Sequence, residues 1–217
     1  MSSTPAPNRP EARQAALDGL ARLRAAFPLE TRIETAGQSH VREYTRVLTE
    51  WLRARVPPIN FISTESSAAL IALDAIVADE LGLGCYPFSA RPTGIVVTLP
   101  AGPVHAMCAV DALAIARLAE SAITIDAPCA VCANPLHLRV EANGGLEHDQ
   151  VERARVIWKA ACHAPGSCSS NLCRSLLFLC PACEAPAGST VYTLPQATMI
   201  GNSFFGFQRR LIAGLSE

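Results

Sequence analysis

The short run Met107–Leu113 places a thiol, Cys108, and a carboxylate, Asp111, three residues apart at the predicted start of an apolar helix. Residues three apart lie on one face of a helix. A thiol near a helix N-terminus is surrounded by unpaired backbone N–H groups and the positive end of the helix dipole, which favour the thiolate. The run therefore offers a soft metal ligand beside a group that can donate a proton. The alternative interpretation is a buried thiol beside an exposed or capping carboxylate, without function.

Two further cysteines, Cys168 and Cys173, flank Asn171 at the end of a predicted loop over residues 163–171, ahead of an apolar run. A loop cysteine can reach a helix N-terminus from across the fold, which would bring two thiolates and a carboxylate around one point. Two thiolates suit a soft metal that accepts few ligands, such as Hg(II) or Cu(I). Spacing alone allows either cysteine to be the partner of Cys108.

Two Cys-x-x-Cys units form the third group of reactive residues, with members Cys129, Cys132, Cys180 and Cys183. The spacing lets two sulfurs meet one ion across a tight turn, and two such units together are typical of a tetrahedral zinc site. The long segment between the units holds predicted strands that could form one ribbon. We therefore predict a structural zinc site, with a redox pair or unrelated thiols as the alternatives.

Composition narrows the class of protein. The chain has 217 residues, a formal net charge of −1 and nine cysteines, an odd number that argues against a disulfide framework. The N-terminal stretch Met1–Arg13 lacks the basic-then-apolar order of a secretory signal, and the apolar run Ala68–Ala78 is too short to cross a bilayer. We expect a cytoplasmic protein that binds neither membrane nor nucleic acid. No phosphate-binding glycine loop, Gly-x-Ser-x-Gly or His-Glu-x-x-His motif is present.

Apolar residues at helical spacing predict three N-terminal helices, over Glu11–Phe27, over His40–Arg55 and from a cap at Ser63 through Val77 to Gly82. They predict a helical domain of the winged-helix type over residues 1–80, with residues 1–10 disordered. Such a unit either binds DNA or covers the rest of the protein. Because the segment is not notably basic, we favour the cover.

Residues 81–217 are predicted to form the α+β core. A turn-rich linker, Gly82–Thr93, precedes strands and helices that alternate without βαβ regularity. The predicted strands are Gly94–Leu99, Val104–Ala106, Ile123–Ile125, Leu136–Val140, Arg155–Trp158 and Val191–Tyr192; Leu172–Leu179 is a helix or a buried strand, and helices cover Met107–Glu120 and Pro195–Leu215.

The sequence resembles the organomercurial (alkylmercury) lyase family. The similar segments are Tyr86–Ser89 with Arg91–Thr93, the run Met107–Leu113, Cys173 ahead of Leu176–Phe178, and Phe204–Leu211. The resemblance extends from about Gly82 to the C-terminus. In that family the N-terminal helices are a winged-helix-like cover, which does not imply DNA binding.

The resemblance implies a mechanism, and it selects Cys173 over Cys168. Cys108 and Cys173 would bind the mercury of R–Hg⁺ as thiolates. Asp111 would take a thiol proton and deliver it to carbon as the Hg–C bond breaks. The products would be a hydrocarbon and Hg(II), passed on to other thiols or to a mercuric reductase. No cofactor is implied for catalysis.

The sequence departs from the family in one respect, because Cys132, Cys180 and Cys183 are additional thiols. Two other functions compete with the lyase. One is a non-catalytic thiolate protein that senses or buffers Cu(I) or Hg(II), for which a general acid at Asp111 has no use. The other is a zinc-ribbon protein with a DNA-binding helical domain, against which the lack of a basic recognition helix counts.

Overall fold

The computed structural model describes residues 9–159 and 167–214, which form seven α-helices and ten β-strands. The mixture of helices with antiparallel sheets confirms the predicted α+β class. The helices are α1 Arg9–Ala26, α2 Leu29–Glu34, α3 Gln38–Leu52, α4 Thr64–Ala72, α5 Ala109–Ala119, α6 Leu194–Phe204 and α7 Gly206–Gly214. None of these helices is long and apolar enough to span a lipid bilayer.

Seven strands form an antiparallel sheet in the order β1-β2-β3-β5-β4-β6-β7. Alternation of buried and exposed side chains along β6 and β7 shows that one face of this sheet is packed and the other solvated. The strands are β1 Ile76–Asp79, β2 Gly82–Cys85, β3 Phe88–Ser89, β4 Val96–Leu99, β5 Gly102–Ala106, β6 Ile123–Pro128 and β7 Pro135–Val140.

A second, three-stranded antiparallel sheet has the order β10-β8-β9, with β8 at Arg155–Trp158, β9 at Leu176–Leu179 and β10 at Thr190–Thr193. The apolar run Leu172–Leu179, left open between helix and strand, therefore contains a strand. Residues 163–166 of the loop predicted before it lie outside the described residues. Strand β9 lies between the turn Cys173–Ser175, which precedes it, and Cys180, which follows it.

Helix α5 is the central element, and the residues from Ala109 to Ala116 are all buried. It packs against α6, against strands β4, β5 and β6 of the large sheet, and against β9 of the small one. Because both sheets and a helix surround it, the N-terminal end of α5 has one well-defined position in the fold. The side chains at that end are therefore held by the protein core.

The predicted third helix is too long. Helix α4 ends at Ala72, and residues Ile76–Asp79 form strand β1. The helix closes with Asp74 in the left-handed region at φ 52°, the Asp74 N–H donating to the Ile71 carbonyl and the Ala75 N–H to the Leu70 carbonyl. This is a Schellman ending. An aspartate occupies the position where glycine is usual, so the sequence carries no clear stop signal.

The predicted linker Gly82–Thr93 is also wrong for its first half, because β2 and β3 are buried strands of the large sheet. Their glycines serve close packing rather than flexibility. A Cβ on Gly82, at φ 138°, would lie 2.5 Å from the Pro57 carbonyl oxygen, so a side chain is excluded there. Turn-type residues in this segment therefore mark tight backbone contact within a sheet.

The ends of the chain differ from prediction in smaller ways. The single C-terminal helix predicted over Pro195–Leu215 is two helices, α6 and α7, separated at Phe205. Helix α2 was not predicted. Residues 1–8 of the predicted disordered segment 1–10 lie outside the described residues, whereas Arg9 and Pro10 begin α1. The predicted division into domains over 1–80 and 81–217 stays a prediction.

Gly201 on α6 sets how closely α6 approaches α5. A Cβ there would lie 2.6 Å from the Val110 carbonyl oxygen and 3.2 Å from the Ala114 Cβ. Because the first neighbour is backbone, Gly201→Ala must push the helices apart, and we expect it to lower the free energy of unfolding by roughly 1–3 kcal/mol. Urea unfolding measures this. Gly206→Ala is the control, since its Cβ would meet nothing within 4 Å; equal losses in both variants would contradict the prediction.

Candidate active site

The N-terminus of α5 carries the first two site residues. Cys108 is the N-cap of the helix, and its Sγ accepts a hydrogen bond of 3.4 Å from the backbone N–H of Asp111. Ser, Thr, Asp or Asn is usual at this position. A sulfur in their place leaves a metal ligand at the helix end, with the Asp111 carboxyl in the first turn beside it. Cys108 and Asp111 are only 1% and 5% exposed.

Cys173 reaches the same point from the other side of the site. It lies on a 3-10 turn, Cys173–Ser175, that runs directly into strand β9. Its thiol donates to Asp111 Oδ2 at 3.7 Å. Ligand atoms of Cys108, Asp111 and Cys173 all lie within 4.8 Å of one another, and all three residues are buried. The structure thus brings together the three residues that the sequence singled out.

Cys168 lies behind Cys173, with 3.7 Å between the two sulfurs. It is not among the three residues whose ligand atoms converge. Of the two cysteines that spacing left open, Cys173 is therefore the one placed with both Cys108 and Asp111.

The turn that holds Cys168 is fastened to the start of strand β1. The backbone N–H of Cys168 donates to Asp74 Oδ2 at 2.7 Å, and that of Ser169 donates to the Tyr86 hydroxyl oxygen at 2.8 Å. The Tyr86 hydroxyl in turn donates to Asp74 Oδ1 at 3.0 Å. Asp74 was missed by sequence reasoning. The available signal is an acidic residue inside the otherwise apolar run Ala68–Ala78.

An enclosed, mainly apolar cavity adjoins the three convergent residues. Its walls come from α1, α5, α6, the cysteine turns and Tyr86, and include Leu23, Phe27, Val110, Leu172, Leu176, Phe204 and Phe205. The aromatic walls interlock: the Phe27 and Tyr86 rings meet edge to face with centroids 4.8 Å apart. The chemical groups of the site therefore face apolar side chains and little water.

Burial sets the protonation of the site. It is the main reason that the pKa of the Asp111 carboxyl rises from 3.8 to about 7 and that of the Cys108 thiol from 9.0 to about 11. Hydrogen bonding to Cys108 and Cys168, together with burial, raises the pKa of the Cys173 thiol as well. The predicted preference of Cys108 for the thiolate is wrong, because the loss of hydration outweighs the helix N-terminus. The site holds thiols beside a carboxyl group that titrates near neutral pH.

The raised pKa of Asp111 makes stability depend on pH. The folded state binds this proton more tightly than the unfolded chain, so stability is full below about pH 4 and falls as pH rises to about 7. At ~1.4 kcal/mol per pH unit, the loss is at most about 4 kcal/mol. Asp111→Asn, which stays neutral, should lack this loss and be the more stable protein at about pH 8. Urea unfolding at about pH 5 and about pH 8 measures the difference; parallel profiles would contradict it.

Cys173 also borders a second, open groove. That groove is lined by Met107, Arg91, Arg174 and the serines of the Cys168 turn. Cys173 thus lies between an enclosed apolar cavity and a surface groove with two guanidinium groups. Of the three convergent residues, Cys173 is the one that also lines this groove, although it is only 3% exposed.

The other four predicted metal ligands form a separate cluster. Cys129 and Cys132 lie in the turn between β6 and β7, and Cys180 and Cys183 lie in the turn after β9. Their four sulfurs all lie within 4.8 Å of one another, with 3.7 Å between those of Cys132 and Cys180. The sequence pattern and the tertiary structure agree on this grouping.

Two buried thiols and a carboxyl group around one point are ligands of the kind that a soft metal ion prefers. Comparison with known families makes this specific. The model of the alkylmercury lyase family, MerB, matches residues 88–205, which is more than half of the chain and includes Cys108, Asp111 and Cys173. The chain belongs to the alkylmercury lyase family.

Solved structures agree on the fold. One of them, described as the mercury-bound form of MerB2, is similar with a TM-score of 0.61 and 18% sequence identity, over 83% of this chain and 98% of that one. At this identity the likeness concerns the fold. No curated protein sequence matches the chain.

Proposed function

We propose that this chain cleaves the carbon–mercury bond of organomercurials by protonolysis, with Cys108 and Cys173 as the mercury ligands and Asp111 as the general acid. The observation that carries the proposal is the convergence of these three ligand atoms within 4.8 Å at a buried position. Family membership supports alkylmercury lyase activity in general. The assignment of roles to residues is our own.

The reaction begins when the substrate R–Hg⁺ exchanges its existing partner for one site thiol, whose proton leaves with that partner. The second thiol then binds mercury, and its proton passes to Asp111. Cys173 suits this second role because its thiol already donates to Asp111 Oδ2 at 3.7 Å. Mercury is then held by two sulfurs, and the acid carries one proton close to the bonded carbon.

In the bond-breaking step, Asp111 gives its proton to carbon. The electron pair of the Hg–C bond becomes the new C–H bond, and Hg(II) stays on the two thiolates. Two thiolate ligands increase electron density on mercury, so carbon leaves more readily as it is protonated. An acid with a pKa of about 7 is suited to both halves of this cycle, since it accepts a thiol proton and gives it up near neutral pH.

The surroundings support the same chemistry. The walls around the site are apolar and admit little water, which leaves Asp111 as the nearest proton source for carbon. For release, we propose that an acceptor thiol reaches mercury through the open groove beside Cys173. We propose that the acceptor of Hg(II) is either a small thiol or a thiol of mercuric reductase. We also propose that the protein acts in the cytoplasm, where such thiols are plentiful, and that it serves mercury resistance.

A second function is favoured by one observation, the sulfur of Cys168 at 3.7 Å from that of Cys173. A third sulfur beside two others suits a protein that holds Hg(II) or Cu(I) without turnover. The carboxyl group of Asp111 argues for the lyase, because a binding protein gains nothing from a buried acid that costs stability at neutral pH.

The deciding experiment is incubation of purified protein with methylmercury or phenylmercury and excess thiol. We expect methane or benzene to accumulate with more than one turnover per protein. In D₂O the hydrocarbon should carry one deuterium, because the proton delivered by Asp111 exchanges with solvent. Mercury bound in stoichiometric amount with no hydrocarbon formed would overturn the lyase in favour of the metal-binding protein.

A further inference from the structure

We propose that Cys129, Cys132, Cys180 and Cys183 hold a structural zinc ion that joins the two sheets of the fold, apart from the mercury site. The four sulfurs already lie within 4.8 Å of one another. In a tetrahedral zinc–thiolate site with Zn–S bonds of about 2.3 Å, neighbouring sulfurs are ~3.8 Å apart. The Cys132–Cys180 distance of 3.7 Å has this value without any adjustment.

The first turn is shaped to present two sulfurs to one point. The Ala133 N–H donates to the Cys129 carbonyl at 3.0 Å, and Cys129 N–H donates to the Asn134 carbonyl at 2.9 Å, which closes the turn tightly. Ala133 takes φ 60°, a conformation that residues other than glycine rarely adopt. This conformation lies right after Cys132, and both sulfurs of the turn belong to the four-sulfur cluster.

Backbone N–H groups are aimed at sulfur in this cluster. Cys129 Sγ accepts from the Val131 N–H at 3.5 Å and from the Cys180 N–H at 3.4 Å. Hydrogen bonds from amides stabilise the negative charge that a metal-bound thiolate keeps, as charge-assisted bonds do elsewhere. The second of these bonds crosses from one Cys-x-x-Cys turn to the other, so the two turns are already fitted together.

The second turn is held from beneath by Arg155 on strand β8. Its guanidinium donates to the carbonyl oxygens of both Cys180 and Cys183. The Cys183 N–H also donates to the Cys180 carbonyl at 3.3 Å. One buried side of the turn is thus fixed by a cation, while its two sulfurs remain free to face those of the first turn.

The alternative of a redox pair fits this geometry poorly. A redox Cys-x-x-Cys unit needs only its own two sulfurs and usually lies at a helix N-terminus. Here both units lie in turns, and the sulfurs of the two units are mixed, with Cys132 next to Cys180.

The position of the cluster suggests what zinc would do for the enzyme. Strand β9 spans four residues, Leu176–Leu179, with the turn of Cys173 before it and Cys180 after it. The Ala130 N–H donates to the Phe178 carbonyl at 2.9 Å, so the first turn already contacts this strand. Zinc would clamp one end of β9 to the large sheet and thereby help to position Cys173 at the other end.

Metal analysis of wild-type protein purified without chelator is the first test. We expect about one zinc ion per chain. We also expect that Co(II) exchanged into the protein will show the absorption bands of a tetrahedral all-sulfur site. Two disulfides within the four cysteines, iron in place of zinc, or much less than one zinc per chain would each overturn the proposal.

Variants separate this site from the mercury site. The double variant Cys108→Ser/Cys173→Ser should keep its zinc, whereas Cys132→Ser should lose it. Cys85→Ala is the control, since Cys85 is a buried free cysteine that belongs to neither cluster and its loss should leave zinc unchanged. Zinc that disappears from the double variant but persists in Cys132→Ser would place the metal at the mercury site and overturn the proposal. If Cys132→Ser does not fold, the cobalt spectrum of the wild type and the zinc content of the double variant still decide the question.

Discussion

Asp111→Asn is expected to capture organomercurials as well as the wild type does but to release hydrocarbon about 10²–10⁴-fold more slowly, the usual range for loss of a general acid. Asparagine keeps the size of the side chain and can still lie at the start of α5. It cannot take the proton of Cys173 or pass it to carbon. Capture should persist because the two sulfurs that bind mercury are unchanged. The measurements are the mass of the intact protein–mercury adduct and benzene formed from phenylmercury.

Asp126→Asn is the matched control for this variant. Asp126 is an exposed carboxylate on β6 that pairs with His137, so its change removes the same charge without touching the site. We expect its rate of hydrocarbon release to equal that of the wild type. Undiminished release by Asp111→Asn would show that the proton reaches carbon from another group, and would end the role proposed for this carboxyl.

The features that could be predicted from the sequence are those formed by residues close together in the chain. Cys108 and Asp111 lie close together because three-residue spacing on a helix requires it, whatever the rest of the fold does. The Cys-x-x-Cys turns are local in the same sense. Strand β7 forms where a strand was predicted over Leu136–Val140, and β6 forms at the predicted Ile123–Ile125 but continues to Pro128.

The rest of the site depends on tertiary contacts that no local pattern contains. Phe27, just after α1, meets Tyr86 only because the chain folds back over the cavity, and sequence patterns do not predict these apolar walls. The fastening of the Cys168 turn by Asp74 joins residues 94 positions apart. The prediction of a thiolate at Cys108 is wrong for the same reason. Burial raises the pKa of this thiol, and burial is a property of the complete fold.

Cys173→Ser and Cys168→Ser form a pair that tests which sulfur serves catalysis. Cys173→Ser should lower the rate of hydrocarbon release by roughly 10³-fold or more, because residues that act as a unit lose nearly everything when one is removed. A hydroxyl oxygen is a hard ligand and does not replace a thiolate on mercury. The change also removes the thiol that donates to Asp111. Benzene release from phenylmercury in excess thiol measures the effect.

Cys168→Ser should keep a rate of the same order as the wild type. Its sulfur contacts Cys173 at 3.7 Å but is not among the atoms that converge with Asp111. The two variants remove the same atom type from the same short segment, so a general disturbance of the loop would affect both alike. If Cys168→Ser were the inactive variant and Cys173→Ser the active one, the second mercury ligand would have to be reassigned. If neither lost activity, the assignment of Cys173 as the required second mercury ligand would be wrong.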